Sequence, residues 1–351
     1  MSRKDRKNDH LFLSMHREDR RMAFSDISFV NNCLPDLDLQ DIKLNSSYLG
    51  RTHRSPLFIN AITGGTSLAK RVNGALAAVA REFSIPMAVG SQMAALENKK
   101  VRSSYSIVRK VNPDGEIWAN IGSYAEPTMV KQAVEMIGAD AVQIHLNTPQ
   151  EIAMKSGDCN FKGLAERIKE IIATSEVPVI IKEVGFGISG KEAKVIMNLG
   201  ASAIDVGGKG GTNFIAIEQA RSSTGFSRRF TEWGILTPIS LIEVLERTGG
   251  KINIFASGGI NNGTDAALAL ALGADAVGMA GLPVYLIMKF GPQVLLRKLK
   301  FIEKELKAIM LMAGASDIED LKKIPLVITG YTAEWLQRRE IDPSKYANRG
   351  E

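Results

Sequence analysis

The sequence predicts an α/β fold: a (β/α)8 barrel with an N-terminal basic arm and extra C-terminal helices. Three observations carry this. Eight short apolar runs, at 57–62, 85–89, 117–121, 141–146, 179–184, 203–206, 252–256 and 276–279, alternate with amphipathic segments. A Gly-Ala-Asp or Gly-Ala-Ser tripeptide precedes three of them, at Gly138, Gly200 and Gly273, as expected where a helix ends on a left-handed glycine and re-enters a sheet. The runs end on glycines, amides and hydroxyls rather than on apolar residues, which gathers polar groups at one rim. A doubly wound open sheet is the alternative architecture.

Taken in order, residues 1–22 are dense in charge, and most of their cations fit a solvated arm. Residues 24–49 hold short apolar clusters broken by Asp, Asn and Pro, which suggests a lid of loops and a small hairpin. The expected division is therefore an arm and lid at 1–54 and a barrel with C-terminal helices at 55–351. Apolar residues at helical spacing mark helices at 67–83 and 126–137. Beyond the eighth run, a long amphipathic helix at 292–312 and a short one at 317–323 should cover the barrel floor or side. From about Thr332 the chain is polar, and its tip is expected to be mobile.

Length and composition bound the function. A chain of 351 residues that is 45% hydrophobic suits one large domain. Its net charge of +6 is small for this size and fits a solvated surface with a local anion site, not a nucleic-acid interface. Cys33 and Cys159, without a CxxC motif, argue for a reducing compartment and against structural zinc. The first residues are too charged for a secretory signal, and no run reaches the roughly 18 apolar residues that a membrane span needs. A cytoplasmic protein without a membrane partner is expected.

The chemistry concentrates at 141–151, AVQIHLNTPQE. A buried strand ending on His145 would deliver an imidazole, the amides of Asn147 and Gln150, and the Glu151 carboxylate to one rim. That set could grip a cation and an anionic ligand together. Glu151 is either a solvated or capping acid or a single carboxylate holding Mg²⁺, with waters and ligand phosphates completing the shell. His145 is either a core histidine or a ligand contact. Glycine clusters GGKGGTN at 207–213, ASGGINNG at 256–263 and GMAG at 278–281 follow the last three runs. They are either tight turns or a phosphate cradle in which backbone N–H groups approach closely and helix starts add a favourable dipole. Lys182, ending the fifth run, needs an anion or a cofactor carbonyl. Stabilising an anionic reduced flavin would satisfy it, and a Schiff base is the rival.

In order and spacing, RKNDH at 6–10, NAITGG at 60–65, GSQ at 90–92, QIHLN with QE at 143–151, KEVGFGIS at 182–189, GGTNF at 210–214 and ASGGI at 256–260 carry a specific likeness. Over nearly its entire length the chain resembles the FMN-dependent type 2 isopentenyl diphosphate isomerases. The resemblance implies interconversion of isopentenyl and dimethylallyl diphosphates, with FMN in its reduced form, NADPH or another reductant, and Mg²⁺. Ile62, Thr63, Gly64, Ser91, Asn120, Lys182, Thr212, Gly258, Gly259, Ile260, Ala280 and Gly281 would hold FMN. Arg6 and Lys7 would fold over the mouth and bind the diphosphate with Gln92, His145, Asn147 and Gln150, while Glu151 binds the metal.

Moving the double bond needs one proton added and another removed nearby. Few strand-end acids could do this, so the reduced flavin would transfer the proton while Gln150 and His145 orient the substrate. Met93 and Asn261 stand where many members carry Arg. A homo-oligomer, tetramer or octamer, is implied, and the apolar 282–288 segment is a candidate interface. The rivals are a flavin oxidoreductase of the hydroxy-acid oxidase type and a flavin- or RNA-binding protein without turnover. The first needs a late His-Arg pair that is missing, and the second lacks an aromatic platform.

Overall fold

The computed structural model describes residues 23–222 and 226–350, so the arm with Arg6 and Lys7 lies outside the described residues. Among the described residues twelve strands follow in chain order: β1 (Ile27–Phe29), β2 (Ser46–Tyr48), β3 (Arg51–His53), β4 (Leu57–Ile59), β5 (Met87–Ala88), β6 (Ile117–Gly122), β7 (Ala141–Leu146), β8 (Val179–Glu183), β9 (Ala203–Asp205), β10 (Asn253–Ser257), β11 (Ala276–Met279) and β12 (Leu326–Ile328). Strands β4 to β11 pair in parallel and close into a barrel, with β11 joining β4 through Val277 opposite Leu57. Every apolar run of the sequence falls on one of these eight strands. Parallel strands buried on both faces need apolar residues on both parities, which is why the runs are nearly continuous.

The helices end where the glycines predict. Helix Pro127–Ile137 starts with Pro at its first position and stops on left-handed Gly138 (φ 56°). Helix Ser67–Phe83 is capped by Thr66, whose hydroxyl accepts from the Ala69 amide at 3.0 Å. Its buried stripe of Val72, Leu76, Ala80 and Phe83 faces the barrel wall. The long helix Pro292–Ala313 packs against Gly263–Ala271, Gly281–Phe290 and Ser67–Phe83, so it covers the side of the barrel.

Three expectations are corrected. The hairpin β2–β3 is not a lid, because it plugs the opposite end of the barrel. Tyr48 joins Phe58, Trp118 and Phe255 in an apolar cluster built mostly from the starts of the strands. Ser46 Oγ donates to the Asp275 carbonyl at 2.6 Å, and Leu49 N donates to Asn253 Oδ1 at 3.0 Å. The segment after Thr332 is also docked. It forms helices Gly330–Arg338 and Ser344–Ala347, holds Tyr346 fully buried, and places Arg339 against Glu243 at 3.0 Å. Finally, Leu282, Val284 and Leu286 of the proposed interface are buried within their own chain, which leaves that segment little apolar surface to offer.

An antiparallel pair absent from the expectations, β1 with β12, ties residues 27–29 to 326–328. Among the described residues no helix is long and apolar enough to cross a membrane.

Candidate active site

A cavity of about 490 Å³ opens at the C-terminal ends of the barrel strands, within the several-hundred-Å³ span usual for small-molecule sites. Of the residues assigned from the sequence, Ile62, Thr63, Ser91, Asn120, His145, Asn147, Gln150, Glu151, Lys182, Thr212, Gly258, Gly259, Ile260, Ala280 and Gly281 line it. Met93 and Asn261 line it too. The strand-end rule places them together because parallel strands all present their C-terminal tips on the same side.

Gln92 and Gly64 are the exceptions. The fully buried Gln92 side chain donates from Nε2 to the Ala133 carbonyl at 2.8 Å and accepts the Asn120 amide on Oε1 at 3.0 Å. It braces β6 against helix Pro127–Ile137, and its expected ligand role is corrected accordingly. At Gly64 a Cβ would fall 2.0 Å from the Tyr105 ring, so the missing side chain lets Tyr105 pass beneath and donate its hydroxyl to the Ser91 carbonyl at 2.7 Å. Both residues shape the wall from behind.

Beneath the cavity runs a layer of hydrogen-bonded polar side chains, one or two per strand. Ser257 Oγ donates to Asp205 Oδ1 at 2.6 Å, and Asn60 Nδ2 to Asp205 Oδ2 at 2.7 Å. Gln143 Nε2 donates to Asn60 Oδ1 at 3.0 Å, and Asn120 Nδ2 to Gln143 Oε1 at 3.0 Å. Asn120 Oδ1 then lies 2.7 Å from His145 Nδ1. Buried polar groups persist only when satisfied, and this layer satisfies most of its own. Thr63 Oγ1 is different: it is buried, lines the cavity, and has no hydrogen-bond partner among the described residues.

Lys182 is buried in the same layer, with Nζ donating to the Glu183 carbonyl at 2.7 Å and standing 3.9 Å from Asp205 Oδ2. The neighbouring Glu183 accepts three backbone N–H groups on Oε2, from Val184, Gly185 and Phe186, at 2.6 to 2.8 Å. Burial pushes its carboxyl up to about 8, against the pull of those donors.

The late glycines interlock backbone to backbone. A Cβ on Gly207 would sit 1.9 Å from the Glu183 carbonyl oxygen, and one on Gly258 (φ 99°) 2.1 Å from that of Gly208. No side chain fits either position, so these loops present bare backbone to the cavity. Two helices start beside them. In Gly263–Ala271 the first turn already holds Asp265, whose carboxylate accepts the Asn261 amide at 2.9 Å and whose burial raises its pKa. Helix Gly281–Phe290 has no capping side chain, and its start at Ala280 and Gly281 lines the cavity. That end better fits a phosphate.

Glu151 is buried in the first turn of helix Thr148–Ala153. Asn147 Nδ2 donates to its Oε1 at 2.8 Å, and Asp158 N to its Oε2 at 3.0 Å. Among the described residues no group of three His, Cys, Asp or Glu could hold a metal ion.

Residues 145–327 match the FMN-dependent dehydrogenase family. The isopentenyl-diphosphate delta-isomerase of Bacillus licheniformis is 44% identical over 351 residues, covering 99% of this chain and 100% of the relative. The protein of that name from Listeria monocytogenes serotype 4b (strain F2365) is 41% identical over 349 residues, covering 99% and 98%. The chain belongs to the isopentenyl-diphosphate delta-isomerase family. Solved structures with the same barrel include one named as a lactate oxidase from Pediococcus acidilactici (TM-score 0.67, 19% identity, 89% of this chain and 86% of that one). A mandelate oxidase with (S)-2-phenylpropionate gives 0.63 and 18%, over 91% and 90%. At that identity the likeness to the oxidases is one of fold, while the isomerase-family relation spans the whole chain.

Sequence reasoning missed Asn60, Gln143 and Asp205 as site residues. Each is a polar side chain at an inward position in or beside an otherwise apolar strand. Period-two alternation within the runs would have exposed them.

Proposed function

We propose that the chain interconverts isopentenyl diphosphate and dimethylallyl diphosphate. The observation that carries this reading is the whole-length relation to chains named isopentenyl-diphosphate delta-isomerase. The cavity supports FMN as the resident cofactor, because the bare glycine loops, the uncapped helix start at Gly281 and the orphaned Thr63 hydroxyl all call for a polar, phosphate-bearing ligand. Thr63, Ser91, Asn120, Lys182, Thr212, Gly258, Gly259, Ala280 and Gly281 would hold it, with Ile62 and Ile260 as apolar wall. Gly64 acts through Tyr105. When bound and reduced by NADPH or another reductant, FMN would supply the proton donor and acceptor needed for moving a double bond.

The chain's own residues do the rest. Lys182 places a cation in a buried layer where a negatively charged ring would be stabilised. His145, Asn147 and Gln150 orient the substrate at the same rim. Glu151 supports Mg²⁺ as a single-carboxylate site that the substrate diphosphate and water complete, consistent with the lack of a three-ligand cluster among the described residues. Arg6 and Lys7 reach the diphosphate from the arm. Ala23 supports this, since it lines the cavity and packs against Gly210 and Gly259. Lys7 lies 16 positions before Ala23, a reach of roughly 50 Å at full extension. The same reading takes the protein to be a cytoplasmic homo-oligomer, tetramer or octamer.

The test is the proton spectrum of products after incubating isopentenyl diphosphate with protein, FMN, Mg²⁺ and a reductant. Dimethylallyl diphosphate is expected, and its absence overturns the proposal. The oxidase reading rests on fold likeness alone, and the late loops at 207–213 and 256–263 contain no histidine. Bleaching of the bound flavin by a 2-hydroxy acid would favour it.

A further inference from the structure

We infer that Asp205 is a positioning residue acting at a distance: through Asn60, Gln143 and Asn120 it holds a proton on Nδ1 of His145, so that the neutral form of the ring carries its lone pair on Nε2. The inference comes from the direction of the hydrogen bonds. A side-chain amide has one donating and one accepting end, and either could face a given neighbour. Asn60 has no such freedom. Its Oδ1 meets the Ala61 backbone N–H at 2.8 Å, a group that can only donate, and its Nδ2 meets the Asp205 carboxylate at 2.7 Å.

With Asn60 fixed, each later step has one solution. Gln143 must present Nε2 to Asn60 Oδ1, at 3.0 Å. Its Oε1 is then the end that faces Asn120, and Asn120 must donate to it from Nδ2, at 3.0 Å. Asn120 Oδ1 is left facing His145 Nδ1 at 2.7 Å, and an amide oxygen can only accept. The ring nitrogen there must carry the proton. Reversing the chain would set the Ala61 and Asn60 donors face to face in a buried layer.

Asp205 is itself held by Ser257 Oγ at 2.6 Å and Gly207 N at 3.2 Å, both on Oδ1. The relay thus crosses the barrel from β9 to β4, β7 and β6 and returns to β7 at His145, a residue that lines the cavity. Dissolved imidazole side chains favour the opposite tautomer, so the relay works against the intrinsic preference. With Nδ1 committed to Asn120, the His145 nitrogen that can serve a ligand is Nε2, as an acceptor while the ring is neutral and as a donor once it has taken up a proton there. Nothing in the argument depends on the substrate, so it stands or falls apart from the proposed reaction.

Nitrogen NMR of flavin-loaded protein labelled with [15N]histidine tests it, at a pH where the ring is neutral and with His145→Asn to identify its signals. In the unmodified protein Nδ1 is expected in the protonated range and Nε2 in the lone-pair range. Gln143→Met and Asn60→Leu alter residues not bonded to the ring, yet should shift both signals towards each other as the Nε2–H form returns. Asn120→Asp keeps an acceptor facing Nδ1 and should leave them in place. A ring protonated on Nε2 in the unmodified protein overturns the inference, and so do unmoved signals in folded Gln143→Met. If neither relay variant folds, the unmodified spectrum still decides.

Discussion

The floor and the mouth of this barrel use the same eight strands for opposite purposes. At the floor, Trp118 and Phe255 stack at 5.7 Å, Phe58 tilts against both, and Tyr48 of the hairpin closes the cluster from outside. At the mouth, a few residues further along each strand, the inward positions hold Asn60, Asn120, His145, Lys182, Asp205 and Ser257. Aromatic packing gains free energy wherever water is excluded, whereas a polar layer contributes little net and must be fully partnered. The difference teaches that stability is loaded at one end, which frees the other end to hold groups chosen for chemistry.

That division can be broken by substitution, and the largest effect should come from the floor. Trp118→Ala removes a fully buried ring and should cost about 3–5 kcal/mol in a urea titration. The variant that remains folded should still bind FMN. At the mouth, Glu151→Gln should leave flavin content unchanged while Mg²⁺-dependent turnover falls about 100-fold, near 2.7 kcal/mol of barrier. Unaltered turnover would remove Glu151 from the metal site. Lys182→Ala should weaken FMN retention about tenfold, or 1.4 kcal/mol, read by flavin absorbance after dialysis.

A further effect, spread over several pH units, concerns Glu183, which belongs to the mouth but whose carboxyl is buried. Its folded-state pKa of about 8 lies above the ordinary 4.5, so between those values the folded protein keeps a proton that the unfolded chain releases. Stability should therefore fall as pH rises through that window, by no more than about 1.4 kcal/mol per pH unit, and level off above 8. Glu183→Gln should flatten the slope in urea titrations at pH 5, 6.5 and 8. A wild-type slope no steeper than the variant's would mean that the three backbone donors keep the carboxylate ionised.

The strands and the tips of the mouth were legible because two strong regularities coincide there: apolar runs for a doubly buried sheet, and polar residues where each run stops. The floor was not. Its hairpin reads SSY and RTH, with no apolar alternation, because it is held by polar links to Asp275, Asn253 and Asp140 that lie far away in sequence. Gln92 was misread because an amide beside a site motif looks the same in sequence whether it faces the ligand or braces the wall behind it. The relay to His145 was hidden for a related reason, since its meaning lies in which end of each amide points where.

One feature of the fold sets an order in time. Strand β1 begins four residues after Ala23, which packs on the glycine loops at the mouth, and its pairing partner is β12, at residues 326–328. All eight barrel strands precede that partner in the chain. During synthesis on the ribosome all eight barrel strands are therefore made before β1 has its partner, and the tie beside Ala23 can form only once translation has passed residue 328.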